Sequence, residues 1–434
     1  MEWYHTLILL IGLLVLLMLT GTPIAICFLL INVAGFFILF GDKGPQQLIL
    51  SMYSSLATFV LIPVPLFVLM GELLFLSGMG GQIIGILDKW LGRLPGRLSL
   101  LAVMAGTLFA SLTGASAASI AMMGSVLIPE MDKQGYKKEM SIGAIMGAGG
   151  LAVLIPPSSL AVLVGSISEI SVGKILIAII VPGVMLAFIY VLYIIIRCTL
   201  QPDLAPSYVV NPTPMSEKLK DFVKYVLPLG LVIFLVIGVI FLGLATPSEA
   251  AATGTIGTLI VLIIYKRMNW DVIKKATIET LKITGMITLI IAGAVAFSQI
   301  LSFTRATRGL TTLVIGLTFH PIIIVIIMQI ILLIMGCFLS LMGTMMITLP
   351  VFVPIITNLG LNPVWFAAIY LLNMEMSFIT PPFGMSLYVM KGVSRDTSMM
   401  QIIRATMPFF FLQLLALALM IAFPQICLWL PSRM

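Results

Sequence analysis

Two polar stretches interrupt apolar sequence in the first half of this chain. One covers residues 111–119 and reads SLTGASAAS, and the other is the Ile155-Pro156-Pro157-Ser158 segment. Glycine and proline break a helix and leave backbone carbonyls without an amide partner, while serine and threonine add hydroxyl oxygens. Neutral oxygens of this kind suit Na⁺, and the amino ends of broken helices suit an anion. The pattern predicts a site for a cation and an anion together.

The same pattern returns in the second half of the chain, as SLMGT at residues 340–344 and TPPFG at residues 380–384. Small residues also allow helices to pack closely in membranes, and a single Ser-x-x-Gly favours that interpretation. Duplication of both stretches favours a binding site. The candidate sodium- and substrate-binding residues are Ser111, Thr113, Gly114, Ser116, Pro156, Pro157 and Ser158 in the first half, and Ser340, Gly343, Thr344, Thr380, Pro381 and Pro382 in the second. The second copy has Met342, Met345 and Met346 where the first has Thr113, Ser116 and Ala117, and with two hydroxyls fewer the two cation sites are not expected to be equivalent.

Four acidic residues lie in apolar sequence: Glu72, Glu169, Glu249 and Glu375. Buried acids are costly in lipid and are often proton- or cation-binding groups. Glu249 follows Thr246-Pro247, where an acid favours a helix amino end, so capping is the preferred interpretation there. Glu375 lies five residues before Thr380 and is the candidate buried acid.

The composition is that of an integral membrane protein. Hydrophobic residues make up 61% of its 434 residues and charged residues 9%, and the mean hydropathy is +1.21. Apolar spans such as residues 175–196 predict helices and exclude a barrel of alternating strands. The basic residues that give the net charge of +7 lie in short loops between apolar spans. This placement indicates that they orient the chain in the membrane and do not bind nucleic acid. Two histidines and four dispersed cysteines predict no transition-metal site, and the absence of P-loop and HExxH motifs predicts that the protein is not an enzyme.

The elements that carry these stretches form an internal repeat. The first copy, residues 1–200, is predicted to contain scaffold helices (4–76), an amphipathic arm (80–97), a hairpin and broken helix (98–170) and a closing helix (175–197). The last scaffold segment, 56–76, is apolar and contains Pro63 and Pro65. A cytoplasmic linker covers 201–221. The second copy, 222–434, repeats this order with scaffold helices (222–301), an arm (305–319), a hairpin and broken helix (321–391) and a closing helix (399–430). Each copy has five crossings plus one re-entrant hairpin, and an odd number inverts one copy relative to the other.

The charges predict the orientation. With a periplasmic N-terminus, eighteen of the 23 basic residues are cytoplasmic, and those outside are Lys43, Lys174, Arg305, Arg308 and Arg433. Under this orientation the first hairpin opens from the cytoplasm and the second from the periplasm. Inverted repeats with broken helices are typical of secondary transporters.

Several of these motifs resemble a known family. The LTGAS segment at 112–116, IPPS at 155–158, ATPSEAA at 245–251 and EMSFITPPFG at 375–384 are similar to the large membrane subunit of the tripartite ATP-independent periplasmic transporters, over essentially the full length. The resemblance implies an elevator-type ion-transporter fold in a bacterial inner membrane, in which a domain carrying both hairpins slides against a scaffold.

The resemblance also implies partners and an energy source: a small four-helix membrane subunit, a periplasmic substrate-binding protein, a small organic anion such as a C4-dicarboxylate or sialic acid, and Na⁺ as coupling ion, with no other cofactor. The chain ends at Met434 without a small-subunit segment, so that partner is expected to be a separate protein. A stand-alone sodium-coupled dicarboxylate or citrate carrier and a channel-like or scaffold membrane protein remain the alternatives.

Overall fold

The computed structural model of the chain describes residues 2–92, 94–113, 116–206 and 214–434, with side chains given except at 110–113. Secondary structure in this part of the chain is helical. Nine helical segments in it are long and apolar enough to cross a membrane, and a bent pair of helices would make a tenth. The all-α polytopic class predicted from composition is confirmed.

The first half contains eleven helices within the described ranges. They are α1 (Trp3–Leu19), α2 (Ile24–Phe40), α3 (Gly44–Leu56), α4 (Pro63–Leu76), α5 (Met79–Leu91), α6 (Arg97–Thr113), α7 (Ser116–Lys133), α8 (Lys138–Leu154), α9 (Ser159–Ser168), α10 (Val172–Ala178) and α11 (Ile180–Leu200). α5 forms the predicted arm as far as Leu91, and Arg97, predicted as the last residue of the arm, begins α6. α8 and α9 are the bent pair, which meet at an angle of 44°.

The second half follows a similar order. Its helices are α12 (Met215–Asp221), α13 (Leu227–Phe241), α14 (Pro247–Ile264), α15 (Trp270–Phe303), α16 (Ala306–Ile315), α17 (Pro321–Phe338), α18 (Leu341–Asn358), α19 (Pro363–Phe378), α20 (Met385–Val393), α21 (Met399–Ala422) and α22 (Gln425–Leu428). α14, α17 and α19 each begin at a proline, because the first helical residue needs no amide hydrogen. α17 and α18, predicted as one hairpin, have 18 residues each.

Two stretches differ from the prediction. Residues 56–76, predicted as one apolar scaffold segment, contain a break at the first of its prolines: α3 ends at Leu56 and α4 begins at Pro63 after a short 3₁₀ turn. The proline lacks the amide hydrogen that a continuing helix requires. The corresponding stretch of the second half has no proline, and α15 continues for 34 residues.

The other difference concerns the predicted linker, 201–221. Its last seven residues form α12, which continues through a π-helical turn at Phe222–Val226 into α13. Charged residues such as Glu217 and Lys218 are good helix formers, so polarity by itself does not end a helix.

One group of helices is built around α4 and α15. α4 packs against α14 and α15, and α15 packs against α2 and α3. Within this group the Asn32 side chain donates a hydrogen bond to the Gly293 carbonyl oxygen at 2.6 Å, and the Phe28 and Phe297 rings meet edge to face. A buried amide that binds a backbone carbonyl holds α2 and α15 in register.

A second group surrounds α8, which packs against α6, α7, α11, α19 and α21. Glycines on α8 allow these approaches. A Cβ atom on Gly143 would lie closer than 3.0 Å to the Ala405 carbonyl oxygen of α21, and one on Gly147 would reach the Phe409 ring. On the α6 side, Gly106 lies directly against Ala148. Small residues let helix backbones come together where lipid offers no hydrophobic driving force.

The two halves are interleaved at their broken helices. α9, which follows Pro156-Pro157, packs against α18 of the second half, and α20, which follows Pro381-Pro382, packs against α7 of the first half. α19 also contacts α8 and α9. Each half-helix therefore contacts the predicted hairpin of the opposite half, and the four elements form one packed body.

Candidate functional site

The break in the first half is compact and buried. α8 ends at Leu154 and α9 begins at Ser159, with Pro156, Pro157 and Ser158 buried between them. The Pro156-Pro157 peptide bond is cis. The Ser158 hydroxyl oxygen accepts a hydrogen bond from the Ala161 amide at 3.3 Å and so caps α9. Ser158 thus has a local role in addition to the binding role predicted from the sequence.

The break in the second half is more open. α19 ends at Phe378, the Pro381-Pro382 bond is cis, and Pro382 is exposed. The Thr380 hydroxyl donates to the Met376 carbonyl oxygen at 2.6 Å, and the Gly384 amide donates to the Thr380 carbonyl oxygen at 3.0 Å. A Cβ on Gly384 would lie 2.7 Å from the Phe378 carbonyl oxygen, so this turn requires glycine.

The amino end of α20 differs from the other amino ends near the breaks. Gly384, at its cap position, has no side chain to accept from the first-turn amides, whereas Ser158 caps α9 and Ser340 caps α18. The uncapped amides and the positive end of the α20 dipole can therefore interact with an anion.

Three of the predicted site residues fall outside what the structure describes. Gly114 lies in the gap at 114–115, and the side chains of Ser111 and Thr113 are not described. Their assignment as cation ligands stays a prediction. Ser116 is the first described residue after the gap and begins α7.

Ser340 and its neighbours form the start of α18. The Ser340 hydroxyl oxygen accepts from the Gly343 amide at 3.2 Å, and the buried Thr344 hydroxyl donates to the Ser340 carbonyl oxygen at 3.2 Å. Gly343 faces Met18 and Ile24 at the turn between α1 and α2. These hydrogen bonds, like those of Thr380, stay within one helix end. The structure brings the helices of the two halves together but shows no direct contact between Ser340 and Thr380 in the residues it describes.

The four acids have different surroundings. Glu249 forms the predicted capping box: its carboxylate accepts from the Thr246 amide at 2.7 Å, and its own amide donates to the Thr246 hydroxyl at 3.3 Å. The capping interpretation is confirmed. Glu169 is exposed at the end of α9, and Glu72 is half-buried on α4. Only Glu375, among these four, is fully buried.

Glu375 joins the two halves of the chain. The Ser116 hydroxyl, 259 positions away, donates to its Oε2 at 2.6 Å. The opposite face of the carboxyl group lies against Gly150 of α8, where a Cβ atom would be 3.1 Å from Glu375 Oε1 and 2.9 Å from Gln413 Nε2. Three helices, α7, α8 and α21, therefore converge on this carboxyl group of α19.

Sequence reasoning missed the polar side chains around Glu375. Gln413 is fully buried on α21, and Tyr190, also fully buried, brings its hydroxyl beside the Gln413 carboxamide from α11. Two residues before Glu375, the buried Asn373 side chain donates a hydrogen bond to Gln329 Oε1 at 2.7 Å. The sequence signal that could have found them is an uncharged amide side chain within a long apolar segment. Such an amide is costly to bury in lipid without a hydrogen-bond partner, so its position indicates a polar contact inside the protein.

A cavity of about 1080 Å³ lies away from the predicted site residues. It lies between the end of α9, the start of α14, α15 and the α3–α4 break, and its polar wall includes Ser54, Ser166, Glu169, Thr246 and Gln299. The cavity thus lies between α9 and the α4–α15 group.

Comparison with known proteins identifies the family. The model of the "Tripartite ATP-independent periplasmic transporter, DctM component" matches residues 11–426. The chain belongs to this family. It is therefore a multi-pass membrane permease component of a tripartite, ATP-independent transporter.

Two curated relatives and one solved structure show the extent of the similarity. The C4-dicarboxylate TRAP transporter large permease protein DctM of Pseudomonas aeruginosa is 32% identical over 398 residues, covering 91% of each chain. The sialic acid TRAP transporter large permease protein SiaM of Vibrio cholerae is 26% identical, covering 96% of each chain. The Alcanivorax borkumensis YdaH transporter has the same fold, with a TM-score of 0.64 at 15% identity over 88% of this chain and 89% of that one.

Proposed function

We propose that this DctM-family chain is the permease of a sodium-coupled, binding-protein-dependent secondary transporter that imports a small organic anion by an elevator movement. The observation that carries the proposal is the interleaving of the broken helices: α9 packs on α18 and α20 packs on α7, so both breaks belong to one body. A site shared between two such breaks can move as a unit, which an elevator movement requires.

The scaffold of this movement is the group around α4 and α15, and the moving body is the group around α8 and α19. The cavity of about 1080 Å³ lies between α9 and the scaffold group. With the N-terminus periplasmic, as the basic residues favour, this cavity opens towards the periplasm. A substrate released by a periplasmic binding protein would enter through this cavity.

The substrate class follows from chemistry that two relatives share. Their names specify a C4-dicarboxylate and sialic acid, and both ligands carry carboxylates. In this chain the uncapped amino end of α20 offers amide hydrogens and a positive dipole to a carboxylate. Hydroxyls at the hairpin starts, such as those of Ser340 and Thr344, offer oxygen ligands to Na⁺. A small four-helix membrane subunit and a periplasmic binding protein complete the proposed assembly.

Uptake into proteoliposomes tests this function. The chain is reconstituted with its small subunit, and a labelled C4-dicarboxylate or sialic acid is supplied with the matching binding protein. We expect uptake that requires both the binding protein and external Na⁺ in place of choline. Uptake that proceeds equally without Na⁺ would refute the coupling, and uptake without the binding protein would favour a stand-alone carrier.

Variants of the hydroxyl ligands test the site. Ser111→Ala combined with Ser340→Ala is expected to lower the apparent sodium affinity about tenfold. Because Ser340 also caps α18, its loss should reduce the free energy of unfolding by about 0.5–2 kcal/mol. The matched control is Ser125→Ala, which removes an exposed hydroxyl on α7 that bonds only within its own helix. Unchanged sodium affinity in the double variant would remove these residues from the cation site.

A further inference from the structure

The Glu375 carboxyl group is buried without a basic partner in the described structure. Glu375 is fully buried, and the ion pairs recorded among the described residues do not include it. On the helices packed around it, Lys138 lies three turns from Gly150, or about 18 Å along α8. Arg404 lies nine residues before Gln413, about 13 Å along α21. No lysine or arginine of α8 or α21 therefore neutralises this carboxylate.

Several polar atoms around the carboxyl group also have no hydrogen-bond partner of regular geometry. These buried atoms, within the described part of the chain, are Glu375 Oε1, both atoms of the Gln413 carboxamide and the Tyr190 hydroxyl, which lies beside that carboxamide. Glu375 Oε1 and Gln413 Nε2 are at most 6.0 Å apart, the sum of their distances from the position of a Gly150 Cβ. Glu375 of α19 and Gln413 of α21 thus meet beside Gly150, and Tyr190 of α11 adjoins Gln413.

We infer that Glu375, Ser116, Gln413 and Tyr190 form a binding site for one monovalent cation. A carboxylate, a serine hydroxyl, a carboxamide oxygen and a phenolic oxygen are hard oxygen donors, which suit an alkali cation. One carboxylate balances one positive charge, whereas a divalent ion of the Ca²⁺ type takes six to eight oxygens and usually more than one carboxylate. The Ser116 hydroxyl donates its hydrogen to Glu375 Oε2 and keeps its oxygen lone pairs for the ion.

A cation explains more of the cluster than a proton does. A proton on Glu375 would give a partner to one neighbouring oxygen, whereas a cation contacts the carboxylate, Gln413 and Tyr190 at once. The inference depends on the proposed function only for the identity of the ion, Na⁺. The inference adds a sodium site at the Glu375 carboxylate, which links α7 to α19, to the hydroxyl ligands proposed at the helix breaks.

The test is direct binding of radioactive sodium to the purified full-length chain by equilibrium dialysis, with choline keeping the ionic strength constant. We expect Glu375→Gln to bind one sodium ion fewer per chain than the unmodified protein. Glutamine still accepts from Ser116, so the helix contact is retained. The matched control is Glu72→Gln, which alters a half-buried acid on α4 and should leave the stoichiometry unchanged.

Tyr190→Phe gives a second test that removes a single oxygen. We expect its sodium affinity to fall about tenfold while its unfolding temperature without sodium is preserved. Wild-type stoichiometry and affinity in Glu375→Gln and Tyr190→Phe would overturn the inference. So would acidification that stabilises the unmodified chain as much as sodium does, with no sodium bound, because the occupant would then be a proton.

These measurements need no transport and therefore separate the two proposals. If reconstituted uptake proves independent of Na⁺ while the Glu375-dependent ion still binds, the proposed coupling fails and the site stands. If uptake requires Na⁺ and Glu375→Gln binds sodium as the unmodified chain does, the site fails and the coupling stands.

Discussion

Replacing Gly143 by alanine tests the close approach of α8 and α21. A Cβ at this position would lie closer than 3.0 Å to the backbone oxygen of Ala405 and 2.8 Å from the Phe409 ring. The Ala405 carbonyl belongs to a helix and cannot rotate away as a side chain could, so α21 must shift. Overpacking of this kind costs about 1–3 kcal/mol.

Helix propensity acts in the opposite direction. Alanine is preferred over glycine inside a helix by about 0.5–1 kcal/mol. The expected net loss of unfolding free energy for Gly143→Ala is therefore up to about 2 kcal/mol. Because α21 also carries Gln413 to the Glu375 cluster, the displacement should lower the uptake rate as well.

The assay is the unfolding midpoint of the purified chain in detergent, together with uptake in proteoliposomes. The matched control is Gly85→Ala on α5, where nothing lies within 4 Å of the added carbon. Helix propensity alone should stabilise that variant by about 0.5–1 kcal/mol. A Gly143→Ala protein that is as stable and active as Gly85→Ala would refute the packing argument.

Three further substitutions test individual contacts. Thr246→Ala removes the capping box of α14 and should reduce the free energy of unfolding by about 0.5–2 kcal/mol, checked by chemical denaturation. Ser116→Ala removes the hydrogen bond to Glu375 and should cost about 1.5–3 kcal/mol, since the acceptor is a charged group in the proposed site; a stability equal to wild type would contradict the contact. Lys89 binds Asp221 and Glu217, and these hydrogen bonds raise the pKa of its ammonium group. The stabilisation of the folded protein by the Lys89 ion pairs should therefore be fully present below about pH 10.4 and lost as the pH rises through the raised pKa. Lys89→Ala should remove this pH dependence of the unfolding midpoint. High salt should weaken the stabilisation by screening the charges.

The sequence predicted the features that depend on local chemistry. Helices end at Leu154 and Phe378, ahead of the two Pro-Pro pairs, because each pair removes two successive backbone amide hydrogens, whereas single prolines such as Pro129 and Pro350 lie inside helices. The capping role of Glu249 followed from the spacing of three residues between Thr246 and Glu249. Composition alone established an all-helical membrane protein, since too few polar residues are available to cover a soluble one.

The break before Pro63 shows where this reasoning needs more than hydropathy. Residues 56–76 are apolar throughout, and an apolar stretch predicts burial in lipid or protein without specifying one straight helix. The tertiary structure turns the chain at Ala57–Ile62 and places this turn on the wall of a cavity. The predicted sodium and substrate residues still await direct tests of binding.

Only the tertiary structure decided what surrounds Glu375. Ser116 and Gln413 come from helices far away in the chain, and whether their side chains meet depends on how each helix is rotated and how closely α8 lets them approach. Residue types and spacing set the period of a helix but not its rotation against distant neighbours. The sequence by itself therefore determined that helices break at the two Pro-Pro pairs, and the packing of the two interleaved halves decided which polar groups share a site.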